Sequence, residues 1–350
     1  MFMKRRNFIQ GISALSALSM LPEQIKAANT QNTVKAKKLQ PGDKVGIIAP
    51  ATSVSDPDEI IRAKNAAEFF GLVPVLGKNV AKGSGYKSRT VNERIEDLHS
   101  MFGNTEIKAV FCIRGGYGSP QILDDIDYDL IRKNPKIFLG YSDITAMHLA
   151  INKMAGLVTF HGPVLSSAFT QYTIDSFMKT LFESNPLGVI ANPLSTSSIR
   201  PLHPLRTVKP GKAEGKIIGG NLSLITALMG TPYEIDTKDK ILLIEDVGEE
   251  PFRIDRMLTQ LKLAKKLQSS KGVVFGECNG CNFDGLQTSR VWDFTYGEVL
   301  DRIFEDIDIP VFTGLTVGHT SDQATIPFGV SAIMDADICN VNILESALTD

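Results

Sequence analysis

The sequence predicts an α/β fold built on a parallel sheet flanked by helices. Three observations carry this. Short apolar runs of strand length alternate with stretches of helix length, and glycine turns follow two of the runs. Lys44–Ala49 (KVGIIA) comes after the turn Pro41-Gly42-Asp43 and is apolar at nearly every position, as a strand buried on both faces is. Pro57–Phe70 places Ile60, Ile61, Ala63, Ala66, Ala67 and Phe70 at three- and four-residue spacings, which predicts a helix. Leu72–Leu76 reads as a second strand. Thr90–Met101 reads as a helix capped by Thr90 or Asn92, with Ile95, Leu98 and Met101 on one side. Lys108–Ile113 and Lys136–Gly140 are the third and fourth strands.

From His161 to Gly211 the pattern loosens. Six prolines (163, 186, 193, 201, 204 and 210) and the cluster Ser195–Ser198 predict a helix followed by an interdomain linker over residues 166–212. A first domain is thus expected over 40–165 and a second over 213–350. In the second, Lys216–Ile218, Lys240–Ile244, Gly272–Phe275 and Pro310–Thr313 read as strands. Leu222–Met229, Ile254–Lys262 and Tyr296–Glu305 read as helices, and Val330–Leu344 as antiparallel strands.

Composition bounds the function. A chain of 350 residues, 43% hydrophobic and 22% charged, is long enough for two ordinary domains. A formal net charge of -2, with both signs interspersed, gives no reason to expect nucleic acid as a partner. Residues 1–28 run from Lys4-Arg5-Arg6 through the mildly apolar Phe8–Leu21 to Ala27-Ala28, the order of an export signal. Arg5-Arg6-Asn7-Phe8-Ile9 resembles a twin-arginine signal, so a periplasmic location is expected. The apolar run is too short for a stable membrane span. Residues 29–39 read as a polar linker.

Of the four cysteines, Cys278 and Cys281 form a C-x-x-C. With no second pair at suitable spacing they cannot complete a four-ligand zinc site, and no metal is expected. A loop with a disulfide, in an oxidising compartment, is the reading. Cys112 lies inside the apolar run AVFCI and reads as a packed strand residue rather than a nucleophile.

The candidate chemistry starts at Ile137–Met154. The strand IFLG runs through Tyr141-Ser142-Asp143 into a helix whose Ile144, Met147, Ile151 and Met154 face a core. Ser142 on such an elbow has its hydroxyl pushed out of the sheet, beside free helical N–H groups able to stabilise an oxyanion. The plainer reading is a serine that only caps the helix. Arg114-Gly115-Gly116-Tyr117-Gly118 directly follows another strand, where α/β sites form, and an amide there can supply a second oxyanion donor.

A serine nucleophile needs a base. Of the five histidines, His99 falls on a helix surface, His148 points away from the elbow, and His203 lies in the proline-rich linker. His161, between the strand VTF and Gly162-Pro163, is a candidate. So is His319, in the glycine-bounded loop Gly314–Thr320 after a strand. An orienting acid is offered by Glu245, after the apolar run Ile241–Ile244; the alternative there is a solvated acidic loop, which Asp246, Glu249 and Glu250 are expected to be.

These segments together resemble the LD-carboxypeptidases, also called muramoyl-tetrapeptide carboxypeptidases, a family of which a microcin-immunity peptidase is a relative. KVGIIAPA (44–51), RGGYG (114–118) and LGYSDIT (139–145) resemble its N-terminal domain. GGNLSLITALMGTPY (219–233), LLIEDVGEEPFRIDRMLTQL (242–261) and GLTVGHT (314–320) resemble its C-terminal domain. The resemblance implies a flavodoxin-like parallel-sheet N-terminal domain and a smaller β-rich α/β C-terminal domain, often in a homodimer. It implies a serine peptidase without metal or cofactor, with Ser142 as nucleophile, Glu245 as acid and His319 as base. The amides of Gly116 and Asp143 would form the oxyanion hole. The implied reaction releases terminal D-alanine from murein tetrapeptides. The rival reading from another class is a periplasmic peptide-binding protein without catalysis, and a third is a cysteine hydrolase using Cys112. The C-x-x-C lies outside the resemblance.

Overall fold

The computed structural model describes residues 33–82, 90–194, 199, 201–281 and 294–350. The export signal read in residues 1–28 lies outside them, as does the cluster Ser195–Ser198. Strand β1 (Lys44–Ile48) is buried at every position but its first, because helices cover both faces of its sheet. Helix α1 (Pro57–Phe69) starts where Asp56 accepts from the Asp58 amide, with a proline in its first turn. Strand β2 (Val73–Leu76) follows. Helix α2 (Val91–Gly103) opens on a capping box between Thr90 and Glu93, which decides between the two caps expected. Strand β3 (Ile107–Cys112), helix α3 (Tyr128–Lys133), strand β4 (Ile137–Gly140), helix α4 (Thr145–Ala155) and strand β5 (Thr159–His161) complete this part. The five strands pair in parallel in the order β2-β1-β3-β4-β5. That is the flavodoxin-like order, in which ligands bind beyond the carboxyl ends of the strands where the winding reverses. The turn after β3 and the elbow after β4 both stand there.

The stretch expected to be a helix and linker contains helix α5 (Gln171–Phe182), and it also supplies strands β6 (Gly188–Ile190) and β7 (Arg206–Lys209). Both strands are short and sit at opposite edges of the second sheet. Then come β8 (Lys212–Asn221), α6 (Leu222–Ala227), β9 (Lys240–Val247), α7 (Pro251–Leu263), α8 (Lys266–Ser269), β10 (Gly272–Asn279), α9 (Tyr296–Phe304), β11 (Val311–Leu315), β12 (Ile326–Phe328), β13 (Ser331–Asp335) and β14 (Asn340–Ile343). The second sheet runs β6-β14-β13-β8-β9-β10-β11-β7, with β8 to β11 parallel and the outer strands antiparallel.

Strand β12 does not join it. It crosses back and pairs antiparallel with β5, Ile326 opposite His161, and so closes the edge of the first sheet. One buried apolar cluster takes in Ile144, Met147 and Ile151 of the first sheet's flank with Leu222, Ile225 and Leu242 of the second's. Each such side chain contributes about 1.5–3 kcal/mol on burial. Together they hold the carboxyl ends of β4 and β9 in fixed relation.

Candidate active site

Strand β4 is buried throughout and stops at Gly140; Tyr141 is extended, and Ser142 turns with φ 64°. Left-handed backbone costs a side-chain-bearing residue about 1–2 kcal/mol, so the surrounding packing must impose it. The turn Ser142–Ile144 leads directly into α4, whose Ala146, Met147 and Ala150 are buried. The hydroxyl of Ser142 is thereby presented outward, and the turn after β3 lies against it. A Cβ on Gly115 would stand 2.9 Å from Ser142 Cβ and 3.3 Å from its Oγ, so glycine is required for this approach.

That glycine turn is tied down from below. Arg94 of α2 donates to the carbonyls of Pro50 at 3.0 Å and Gly118 at 2.8 Å. The Tyr117 amide donates to Thr52 Oγ1 at 2.8 Å, and the Ser119 amide to Asp143 Oδ2 at 2.7 Å. The Asp143 side chain is thus an internal anchor. Burial holds its carboxyl above the usual value, although hydrogen bonds from Ser119 and Gly118 and the charge of Arg94 pull the other way.

Glu245 is not at a strand end, as its apolar lead-in suggested. Strand β9 continues to Val247, and Glu245 and Asp246 are both buried within it. Successive strand residues face opposite sides. Asp246 therefore turns away and accepts from Asn221 Nδ2, the Ser223 amide and the Val247 amide, each at 2.9 Å. The expectation that Asp246 belongs to a solvated loop is corrected by this cage of donors.

His319 lies in the loop after β11. Its Nε2 is 3.0 Å from Ser142 Oγ and its Nδ1 is 2.7 Å from Glu245 Oε2. With the proton on Nδ1 donated to Glu245, Nε2 is free to accept from the hydroxyl. The His319 amide also donates to Glu245 Oε2, at 3.3 Å. Gln323 Nε2 donates to the Gly318 carbonyl and Asn279 Nδ2 to the His319 carbonyl, both at 2.6 Å. Burial disfavours the charged imidazole. The hydrogen bond and charge of Glu245, with the charge of Asp246, outweigh it and raise the His319 pKa above the ordinary value.

Ser142 and His319 open onto a cavity of about 270 Å³, whose wall also includes Gly116, Tyr141, Arg114 and Glu59. Gly116 thus faces the site with its turn, while Asp143 follows Ser142 at the helix entry. His161, the other candidate base, is fully buried behind Tyr141, with ring centroids 6.2 Å apart, and takes no part in the cavity wall. His148 is buried beneath the elbow with Nε2 2.8 Å from the Gly140 carbonyl; burial lowers its pKa to about 4, against the effect of that bond. His99, expected on a surface, is half-buried and accepts from the Asp127 amide at 2.9 Å.

Sequence reasoning missed how the His319 loop is held. His203 of the proline-rich stretch is wedged between Glu277, on its Nδ1, and Asp322, 2.9 Å from its Nε2. Thr320, next to His319, donates to Glu277 at 3.0 Å. A histidine near strand edges gives no local sign of such a partnership. Cys278, on β10, is disulfide-bonded to Cys281, so the C-x-x-C begins on a strand and ends past its turn. Cys112 is fully buried within β3, and burial raises its thiol pKa well above the usual value, leaving an inert packed thiol. Among the described residues no group of His, Cys, Asp and Glu is arranged to hold a metal ion, and no helix is long and apolar enough to cross a membrane.

Two family models match the chain: the LD-carboxypeptidase N-terminal domain over residues 45–162 and the LD-carboxypeptidase C-terminal domain over residues 214–334. A probable murein peptide carboxypeptidase of Bacillus subtilis (strain 168) is 41% identical over 301 residues, covering 86% of this chain and 91% of its own. The chain belongs to the LD-carboxypeptidase family. This LD-carboxypeptidase is accordingly a serine-type carboxypeptidase, a hydrolase, and the reading as a binding protein without catalysis is set aside.

It is also similar to the microcin C7 self-immunity protein MccF of Escherichia coli, 32% identical over 341 residues, 90% of this chain and 96% of that one. Among solved structures, MccF in its wild-type apo state matches with a TM-score of 0.79 at 28% identity, over 90% of this chain and 100% of that one. A muramoyltetrapeptide carboxypeptidase from Oxalobacter formigenes matches with a TM-score of 0.74 at 26% identity, over 87% and 100%.

Proposed function

We propose that this LD-carboxypeptidase releases terminal D-alanine from murein tetrapeptides by acyl transfer through Ser142, His319 and Glu245. One observation carries the reading: the unbroken chain from Ser142 Oγ to His319 Nε2 at 3.0 Å and from His319 Nδ1 to Glu245 Oε2 at 2.7 Å. In the proposed reaction, Ser142 Oγ attacks the carbonyl that follows the L-centre of the diamino acid while Nε2 takes its proton. Glu245 fixes the imidazole and supports its positive form. The oxyanion is received by the amides of Gly116 and Asp143. The intermediate expels D-alanine, whose nitrogen takes the proton from Nε2. Water, deprotonated by His319 Nε2, then attacks the acyl carbonyl and frees the peptide, and Nε2 returns that proton to Ser142 Oγ to restore the hydroxyl. Relatives named for murein peptides support this choice of substrate. Its test is incubation with defined murein tri-, tetra- and pentapeptides and mass analysis of the products. Loss of one D-alanine from the tetrapeptide alone is expected; an unchanged tetrapeptide would overturn the substrate reading.

The enzyme is proposed to act in the periplasm, exported by the twin-arginine segment at Arg5-Arg6, and as a homodimer. Replacing both arginines by lysine should leave the protein in the cytoplasmic fraction, and light scattering of the exported form should give twice the chain mass. Unaltered fractionation or a monomeric mass would refute the respective statement.

A further inference from the structure

The cavity beside Ser142 contains an ion pair that the triad does not use. Arg114 Nη1 donates to Glu59 Oε2 at 3.2 Å and to the Ser53 carbonyl at 3.4 Å. Its Nε is buried with no acceptor, and its Nη2 has none among the described residues. The Arg114 side chain keeps 32% of its surface open. Among the described residues lining the cavity it is the one permanently charged cation. Its backbone leads directly into Gly115, which lies against the nucleophile.

A carboxypeptidase must distinguish the end of a peptide from its middle, and the difference is a carboxylate. In a substrate with its last bond at Ser142, that carboxylate is three covalent bonds from the scissile carbonyl, a span of roughly 3–4 Å. It therefore falls inside the same cavity. A guanidinium with Nη1 held by Glu59 and Ser53 and its Nη2 donors unengaged among the described residues is suited to a carboxylate, to which it brings a fixed positive charge and planar N–H donors.

We propose that Arg114 seats the terminal carboxylate of the substrate, with Glu59 of α1 holding the guanidinium in position. This deepens the reading given above and rests on it for the place of the scissile bond. Glu59 also offsets the charge of Arg114 in the cavity wall. The rival is a purely structural role, an ion pair that fastens the glycine turn to α1. That role affects all substrates alike, whereas a carboxylate seat affects only those that carry the carboxylate.

The experiment compares kcat/KM on two tetrapeptides with the same stem, one ending in free D-alanine and one in D-alaninamide, using the full chain. The wild type should favour the acid by about 10- to 100-fold, the value of one charge-assisted hydrogen-bonding contact. Arg114→Gln should bring the acid-to-amide ratio close to one, and Arg114→Lys should leave an intermediate ratio. Because both substrates are measured on one preparation, the folded fraction cancels, and the lysine variant supplies the ratio if the glutamine variant is inert on both. An unchanged ratio in the variants would overturn the proposal. So would a variant that keeps the ratio but loses discrimination between diaminopimelate and lysine stems, since Arg114 would then read the side-chain carboxylate. Labelling of Ser142 by a serine-directed fluorophosphonate tests the nucleophile separately, and its failure would count against the triad without touching the ratio.

Discussion

Gly318 lies closer to Glu245 than a residue with a side chain could at that position: a Cβ on Gly318 would lie 2.3 Å from Glu245 Oε2 and 2.6 Å from its Cγ. The glycine also has φ 91°, which side-chain-bearing residues rarely adopt. The loop that carries His319, the proposed base, is therefore laid directly on Glu245, the proposed acid. Gly318→Ala should push His319 away from Ser142, and a displacement near 1 Å costs about 100-fold in rate. Steady-state kcat alongside a thermal melt checks this. Near-normal turnover in a folded variant would show that the contact is not needed.

Ser142, the proposed nucleophile, has a left-handed backbone. Ser142→Ala should lose turnover by about 10³- to 10⁶-fold while keeping the fold. Ser142→Gly should be equally inactive yet more stable than Ser142→Ala by about 1 kcal/mol, because both lack the hydroxyl and only alanine retains the strained φ. Denaturant midpoints of the two variants, compared at equal slope, measure the difference.

The pKa of His319 is raised in the folded protein, and in the proposed reaction its neutral form is the base. Activity should rise with pH along an acid limb lying above the ordinary imidazole value of about 6.5. The same shift stabilises the fold fully below that ordinary value, and the contribution is lost as pH climbs through the raised one. Glu245→Gln removes the partner that raises it. The limb should move down, kcat should fall by about 10⁴-fold, and the decline of stability over this window should flatten. A pH–rate profile and melts at matched pH values test both.

Asn279 connects the disulfide to the site, since it follows Cys278 and its side chain donates to the His319 carbonyl. Closing so short a loop is worth about 2 kcal/mol on the chain-entropy view. Treatment with a dithiol, or the double change Cys278→Ala and Cys281→Ala, should lower kcat several-fold with little change in KM. Kinetics before and after reduction, with free thiols counted, decide it. Equal kcat in the two states would show that the turn holds its shape without the bond.

Much of this enzyme is legible locally. The apolar runs of β1, β3 and β4 are nearly continuous because both faces of a parallel sheet are covered. Ser142 stands out because a strand ending in glycine runs without spacer into an amphipathic helix. Other features leave no local trace. Strands β6 and β7 are edge strands of three and four residues among prolines, too short to show an alternation. Strand β12 pairs with β5 across 165 positions (326 − 161), a choice made by the sheet edge rather than by its own residues. The opposite fates of Glu245 and Asp246 depend on β9 running past Ile244, which its register with β8 and β10 dictates.

The sequence by itself determined which segments become strands, helices and glycine turns, and which residue types stand at their ends, because these follow from backbone sterics and from hydrophobic periodicity over a few residues. Only the tertiary structure decided that Ser142 and His319, 177 positions apart, and Glu245 and His319, 74 apart, come within hydrogen-bonding distance. It likewise decided that Arg114 shares their cavity. Such separations are set by the packing of two sheets through many weak nonlocal contacts, and no stretch of chain contains that information alone.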